Sequence, residues 1–121
     1  MKSIFYWIEI PALDFDRAVD FYSKLLGVEL EKLDWGTEKM ACLPDDAGAI
    51  SFSPDFKPSV DGVLASFNTG NDIDGWMKRI EENGGKIVRP KDNIDEDGRG
   101  WFALFHDTEG NRLGLYGENE P

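Results

Sequence analysis

From Ile4 to Ile10 the chain is rich in β-formers and alternates, and after a short turn the hydrophobic period changes. From Asp14 onward the apolar positions are Phe15, Ala18, Val19, Tyr22, Leu25 and Leu26, with Asp16, Arg17, Asp20, Ser23 and Lys24 between them. The i, i+3, i+4, i+7 spacing predicts an amphipathic helix with one core-facing stripe. Asp14 is placed as its N-cap and Gly27 as its stop. The pattern returns at Asp72, which is expected to cap a second helix with a stripe of Ile73, Trp76, Met77 and Ile80, ended by Gly84 and Gly85. Short strands are predicted at Val28 to Asp34, Lys39 to Leu43 and Ala49 to Ser53, and again at Lys86 to Arg89, Trp101 to His106 and Arg112 to Tyr116. Gly110 and Asn111 can supply positive φ to the turn joining the last two. Each half therefore reads β-α-β-β-β, an α+β layout repeated once, with the proline- and glycine-containing stretch from Pro54 to Gly62 as the link.

Length supports duplication within one domain, 1–121, because 121 residues is one domain's worth of chain and half of it buries too little to be stable alone. The internal units are expected at 1–55 and 62–118. Residues 1–60 carry 6 basic and 11 acidic groups and residues 61–121 carry 7 and 13, so neither half is an acidic tail. The net charge of −11 excludes a nucleic-acid binder working by phosphate neutralisation. No run approaches a membrane span, and the N-terminus shows no signal-peptide pattern. The one cysteine, Cys42, cannot form an internal disulfide, and these features together predict a cytoplasmic protein.

The paired layout, with Phe5-Tyr6-Trp7-Ile8-Glu9-Ile10-Pro11, Asp16-Arg17-Ala18 followed by Phe21-Tyr22, and Asp107-Thr108-Glu109-Gly110-Asn111-Arg112-Leu113-Gly114-Leu115-Tyr116, resembles the vicinal oxygen chelate superfamily of glyoxalase, bleomycin-resistance and extradiol-dioxygenase proteins. It is most similar to the branch of predicted enzymes related to lactoylglutathione lyase. The resemblance covers essentially the whole chain. It implies two modules curled into an open barrel-like cleft with helices outside, and symmetric homodimers. In metal-dependent members, it implies a divalent ion held by His and Glu from the first and last strand of each unit.

On this sequence the first-strand ligand positions fall on Trp7 and on Val63 or Ala65, and the last-strand positions fall near Ile50 or Ser51 and on Gly114. Indole nitrogen is a donor only, and a neutral hydroxyl is a poor ligand. A zinc or nickel site needs about four strong donors. No metal and no cofactor are therefore expected, and lactoylglutathione lyase activity is not expected either, since its proton abstraction relies on a metal. Asn93-Ile94-Asp95-Glu96-Asp97-Gly98 mimics the start of a calcium loop, but the twelfth position is Leu104, so it reads as a solvated acidic connection. His106, the only histidine, reads as structural or surface rather than catalytic.

Strand parity places Phe5 and Glu9 on the face of Trp7, and Ile4, Tyr6, Ile8 and Ile10 toward the helix. Glu9 is the candidate catalytic group: a buried, unpaired carboxylate tends to take up a proton and suits general acid or base work. The structural alternative is a salt bridge or hydrogen bond, for example to Arg112, Arg89 or the backbone, or an exposed place at the end of an open cleft. Arg112 and Tyr116 share the facing of Gly114 and are candidate ligand contacts, with Trp7 as pocket wall. Whether Trp101, Ala103 and Phe105 line the same cleft is left open. Two functions follow. One is a pocket for a small aromatic, neutral or cationic molecule, lined by Trp7, Glu9, Phe5, Arg112 and Tyr116. The other is a metal-independent lyase or isomerase with Glu9 as general acid or base.

Overall fold

The computed structural model describes residues 4–93 and 100–118. Its contacts divide the chain into two compact units, with the boundary between Pro58 and Ser59. That boundary lies inside the link expected at residues 54–62.

In the first unit, β1 (Ile8–Pro11) leads into α1 (Phe15–Leu26), followed by β2 (Lys32–Asp34), β3 (Lys39–Cys42) and β4 (Gly48–Phe52), with a single 3₁₀ turn at Pro44–Asp46. The sheet order is β1-β4-β3-β2, with β1 parallel to β4 and the other pairs antiparallel. A parallel pair needs a long crossover, and α1, β2 and β3 supply it. Register aligns Ile10 with Ile50 and Ile50 with Ala41, and all three are buried. α1 packs on β4. Its buried residues are Phe15, Ala18, Val19, Phe21, Tyr22 and Leu25. Each large apolar side chain taken from water contributes roughly 1.5–3 kcal/mol. Phe21, off the expected stripe, is buried edge-on against Tyr22 with ring centroids 4.9 Å apart, whereas Leu26 is only half-buried.

Both ends of α1 are closed as the sequence predicts. Asp14 Oδ1 accepts from the Arg17 amide at 3.1 Å. Gly27 sits at φ 70°, and its amide and that of Val28 both donate to the Ser23 carbonyl. One expectation fails here. The first strand begins at Ile8 rather than Ile4, so parity does not carry Ile4 and Tyr6 to the helix. Ile4, Tyr6 and Ile8 are exposed, and of the four residues expected to face the helix only Ile10 is buried.

The second unit repeats the order: β5 (Ser66–Asn68), α2 (Ile73–Glu82), β6 (Lys86–Asn93), β7 (Trp101–His106) and β8 (Arg112–Gly117). Its sheet runs β5-β8-β7-β6, with β5 parallel to β8. β6 continues past Pro90, beyond the expected stop at Arg89. It is an edge strand with register shifts on either side of Arg89, where a missing N–H is tolerated. Asp72 stands at the N-cap of α2 without a side-chain capping bond, its carboxylate instead lying 3.7 Å from Arg79. The helix ends at Glu82, with Asn83 rather than a glycine at the cap, and Asn83 Nδ2 donates to the Arg79 carbonyl at 2.7 Å.

Trp101, Ala103 and Phe105 lie on the α2 side of their sheet. Ala103, Phe105, Leu113 and Leu115 are buried there with Ile73 and Ile80, and Phe67 stacks between Trp76 and Phe105. The β7–β8 turn is polar and buried. The amides of Glu109 and Asn111 donate to Asp107 Oδ1 and Asn111 Nδ2 to Asp107 Oδ2, all at 2.9 Å. Gly110 alone supplies the positive φ, at 95°. No helix among the described residues is long and apolar enough to cross a membrane.

Candidate functional site

Glu9 is neither buried nor unpaired. It lies exposed on β1, opposite Ala49 of β4, and both carboxylate oxygens are engaged. Ser51 donates its hydroxyl to Oε1 at 2.6 Å, and the Trp7 indole N–H donates to Oε2 at 3.2 Å. The structural alternative raised for Glu9 is thus realised, with partners other than those named for it. Ser51 is buried two residues further along the neighbouring strand, so the bond ties β1 to β4 on the face opposite the Ile10–Ile50 core.

This cluster joins Trp7 to Ser51, which with Ile50 is one of the two alternatives for the last-strand position that the resemblance implies, through a carboxylate between them. Its chemistry is that of an acceptor held in place by two donors, one of them an aromatic ring. Phe5 precedes the strand and is exposed. Nothing in the sequence pattern pointed to the bond across 42 residues to Ser51, because the order β1-β4 is not readable from alternation.

In the second unit, Arg112, Gly114 and Tyr116 occupy alternate positions of β8, on the face away from α2. Gly114 is opposite Ser66 of β5, and a Cβ at Gly114 would overlap Ser66 Oγ and stand 3.2 Å from Ser66 Cβ. Tyr116 is opposite Asn68 and Phe102, and Arg112 is opposite His106. His106 is half-buried on this face, and Arg89 stacks over Phe102 at 4.7 Å.

The residues at the family's ligand positions do not fit a metal. Ser51 spends its hydroxyl on Glu9, Val63 is 96% exposed and carries no donor, and the space a side chain would need at Gly114 is taken by Ser66. Among the described residues no three His, Cys, Asp or Glu side chains gather as a metal-holding group. The calcium-loop-like string lies, from Ile94 on, outside the described residues. An open concavity of about 490 Å³ runs along Glu29, Leu30, Glu31 and Lys32. One stretch of chain lines it and no candidate residue reaches it, so it is a surface depression unconnected with the site.

The family model of the glyoxalase/bleomycin resistance protein/dioxygenase superfamily matches residues 4–115. The chain belongs to that superfamily. Solved structures share the fold at low identity. A glyoxalase/bleomycin resistance protein from Albidiferax ferrireducens T118 is 19% identical with a TM-score of 0.70, covering 95% of this chain and 98% of that one. The genomically encoded fosfomycin resistance protein FosX from Listeria monocytogenes is 16% identical with a TM-score of 0.68, covering 97% and 94%. A mutant of glyoxalase I from Zea mays is 21% identical with a TM-score of 0.70, covering 93% of this chain but 45% of that one. No curated protein matches. A further FosX structure is described as complexed with Mn(II) and sulfate.

Proposed function

We propose that this glyoxalase-like protein binds a small aromatic, neutral or cationic molecule, with Trp7 and Glu9 as the recognition pair. The observation that carries the reading is the Trp7–Glu9–Ser51 cluster: a carboxylate fixed by two donors, one of them the edge N–H of an indole. A positioned carboxylate supplies the counter-charge, the indole a stacking or cation-π surface, and the net charge of −11 draws cations inward. Phe5 is proposed as a further ligand contact, and Arg112 and Tyr116 are proposed as ligand contacts on the second unit's own sheet.

The alternative, a metal-independent lyase or isomerase using Glu9 as general acid or base, is less well supported. Both oxygens of Glu9 are already engaged, so a proton transfer would first have to break a bond to Ser51 or Trp7. Saturable quenching of tryptophan fluorescence by cationic aromatic compounds is expected, lost in Glu9→Gln and reduced in Trp7→Phe, which separates Trp7 from the other three tryptophans. Unchanged quenching in Glu9→Gln would overturn the binding reading. Turnover of a screened metabolite, abolished by the same substitution, would favour the enzyme. A homodimer is proposed on the exposed apolar lead-in to β1, and a reducing, cytoplasmic setting on the exposed free thiol of Cys42.

A further inference from the structure

The sheet of the second unit buries one face under α2 and leaves Arg112, Gly114 and Tyr116 on the other. On that face the register sets Lys86 opposite His106 and His106 opposite Arg112, one row of nitrogen-bearing side chains across β6, β7 and β8. Directly opposed residues stand about 4.5–5.5 Å apart at Cβ, so His106 and Arg112 can hold one small group between them. Lys86 stands one strand further out. In the next row the Ser66 hydroxyl lies where a Gly114 side chain would be, adjacent to Arg112 along β8.

Arg112 is half-buried and its Nε is buried with no hydrogen-bond partner. A guanidinium keeps its charge and has donors only, so this N–H can be satisfied only by an acceptor brought to it. The protein does not bring one. Although the chain has 24 acidic residues, no carboxylate pairs with Lys86, His106 or Arg112 among the described residues. The row's two fixed cations, Lys86 and Arg112, flank His106 across the sheet, and an oxyanion over the row would supply both a counter-charge and an acceptor.

We infer that this row is a binding site for an oxyanion, the carboxylate or phosphate group of a small molecule. Arg112 supplies its planar fork and turns to bring the covered Nε to an oxygen, His106 and the Ser66 hydroxyl flank the oxygens, and Lys86 adds charge at the rim. The whole-chain charge of −11 repels anions at a distance, so binding depends on this local row and weakens with added salt. The inference gives a ligand chemistry to the proposed contact Arg112 and does not rest on the Trp7–Glu9 pair, which lies in the other unit.

The test is a titration of the full chain with acetate and, separately, inorganic phosphate, against sodium chloride at matched ionic strength. It is followed by thermal shift and by the arginine Nε–H resonances. The protein has five arginines, and Arg112 is assigned by single Lys replacements of the other four. A saturable rise in Tm and a saturable shift of the Arg112 Nε resonance are expected with at least one anion. Which anion acts identifies the group as carboxylate or phosphate. Arg112→Gln should weaken binding at least tenfold and His106→Gln about threefold, whereas Lys24→Gln, which removes an exposed cation of α1, should leave it unchanged. If Arg112→Gln fails to fold, the wild-type resonance still decides. No saturable movement with either anion, or equal affinity in the Arg112→Gln and wild-type proteins, overturns the inference. Loss of cation quenching alone would leave it standing.

Discussion

Gly114 shows how one missing side chain shapes the second unit. Its place is filled by Ser66 from the parallel neighbour, so an alanine there has to displace a hydroxyl that can rotate and a Cβ 3.2 Å away that cannot. Gly114→Ala should cost about 1 kcal/mol, the low end for overpacking, read as a lower urea midpoint at constant m. In a Ser66→Gly background most of that loss should vanish, because the two sites share one space. In the first unit, β4 carries Ser51. Ser51→Ala removes a 2.6 Å bond to a carboxylate, and the exposure of Glu9 discounts its worth to about 1 kcal/mol. An unchanged urea midpoint would mean that the cluster does not hold β1 to β4. The sequence made Glu9 and Trp7 visible as an unusual pair on one strand. It could not show Ser51 as a partner, nor that the carboxylate stays exposed, because burial depends on the neighbour strand and on where β1 begins.

Helix ends were easy to place from sequence, but the bonds that close them were not. Asp14 and Asp72 look alike as aspartates before an apolar stripe, yet only Asp14 accepts a capping bond. Asp14→Ala should therefore cost about 1 kcal/mol and Asp72→Ala only a few tenths, a difference measurable by paired urea melts. α1 is also tied to β2 by Lys32, whose ammonium lies 2.9 Å from Asp16. The hydrogen bond from Lys32 lowers the Asp16 carboxyl from its ordinary 3.8, with the charge of Lys32 acting in the same direction. A depressed folded-state value means that the contribution is fully present above 3.8 and is lost as pH falls through the lower, folded value. Both groups are exposed, so the effect is small and screened by salt. Asp16→Asn should flatten this acid limb of the stability profile at low salt and change nothing at high salt. A limb identical in the two proteins would assign it to other carboxylates. The strand missed at its far end, β6, teaches the same lesson: Pro90 argues against a central strand, and only the sheet order reveals that β6 is an edge.

At the scale of the molecule, duplication was the most legible feature, because two helix stripes with matching flanks fix β-α-β-β-β in each half. The shared sheet order, with the first strand of each unit parallel to its last, was not readable from alternation. It has a consequence for assembly. β1 is an edge strand, and Ile4, Phe5, Tyr6 and Ile8, which lead into and open it, are all exposed, Tyr6 at 93%. Edge strands with apolar flanks are pairing sites unless charged or covered, and no charged residue interrupts this segment before Glu9. A second copy of the chain is the proposed cover. Sedimentation at micromolar concentration should give twice the monomer mass. The double substitution Ile4→Lys, Tyr6→Lys should shift it toward monomer with little change in the monomer's own urea midpoint, since neither side chain is buried in the single chain. A wild-type protein that stays monomeric when concentrated, or a double variant that dimerises equally well, would remove this segment as the interface.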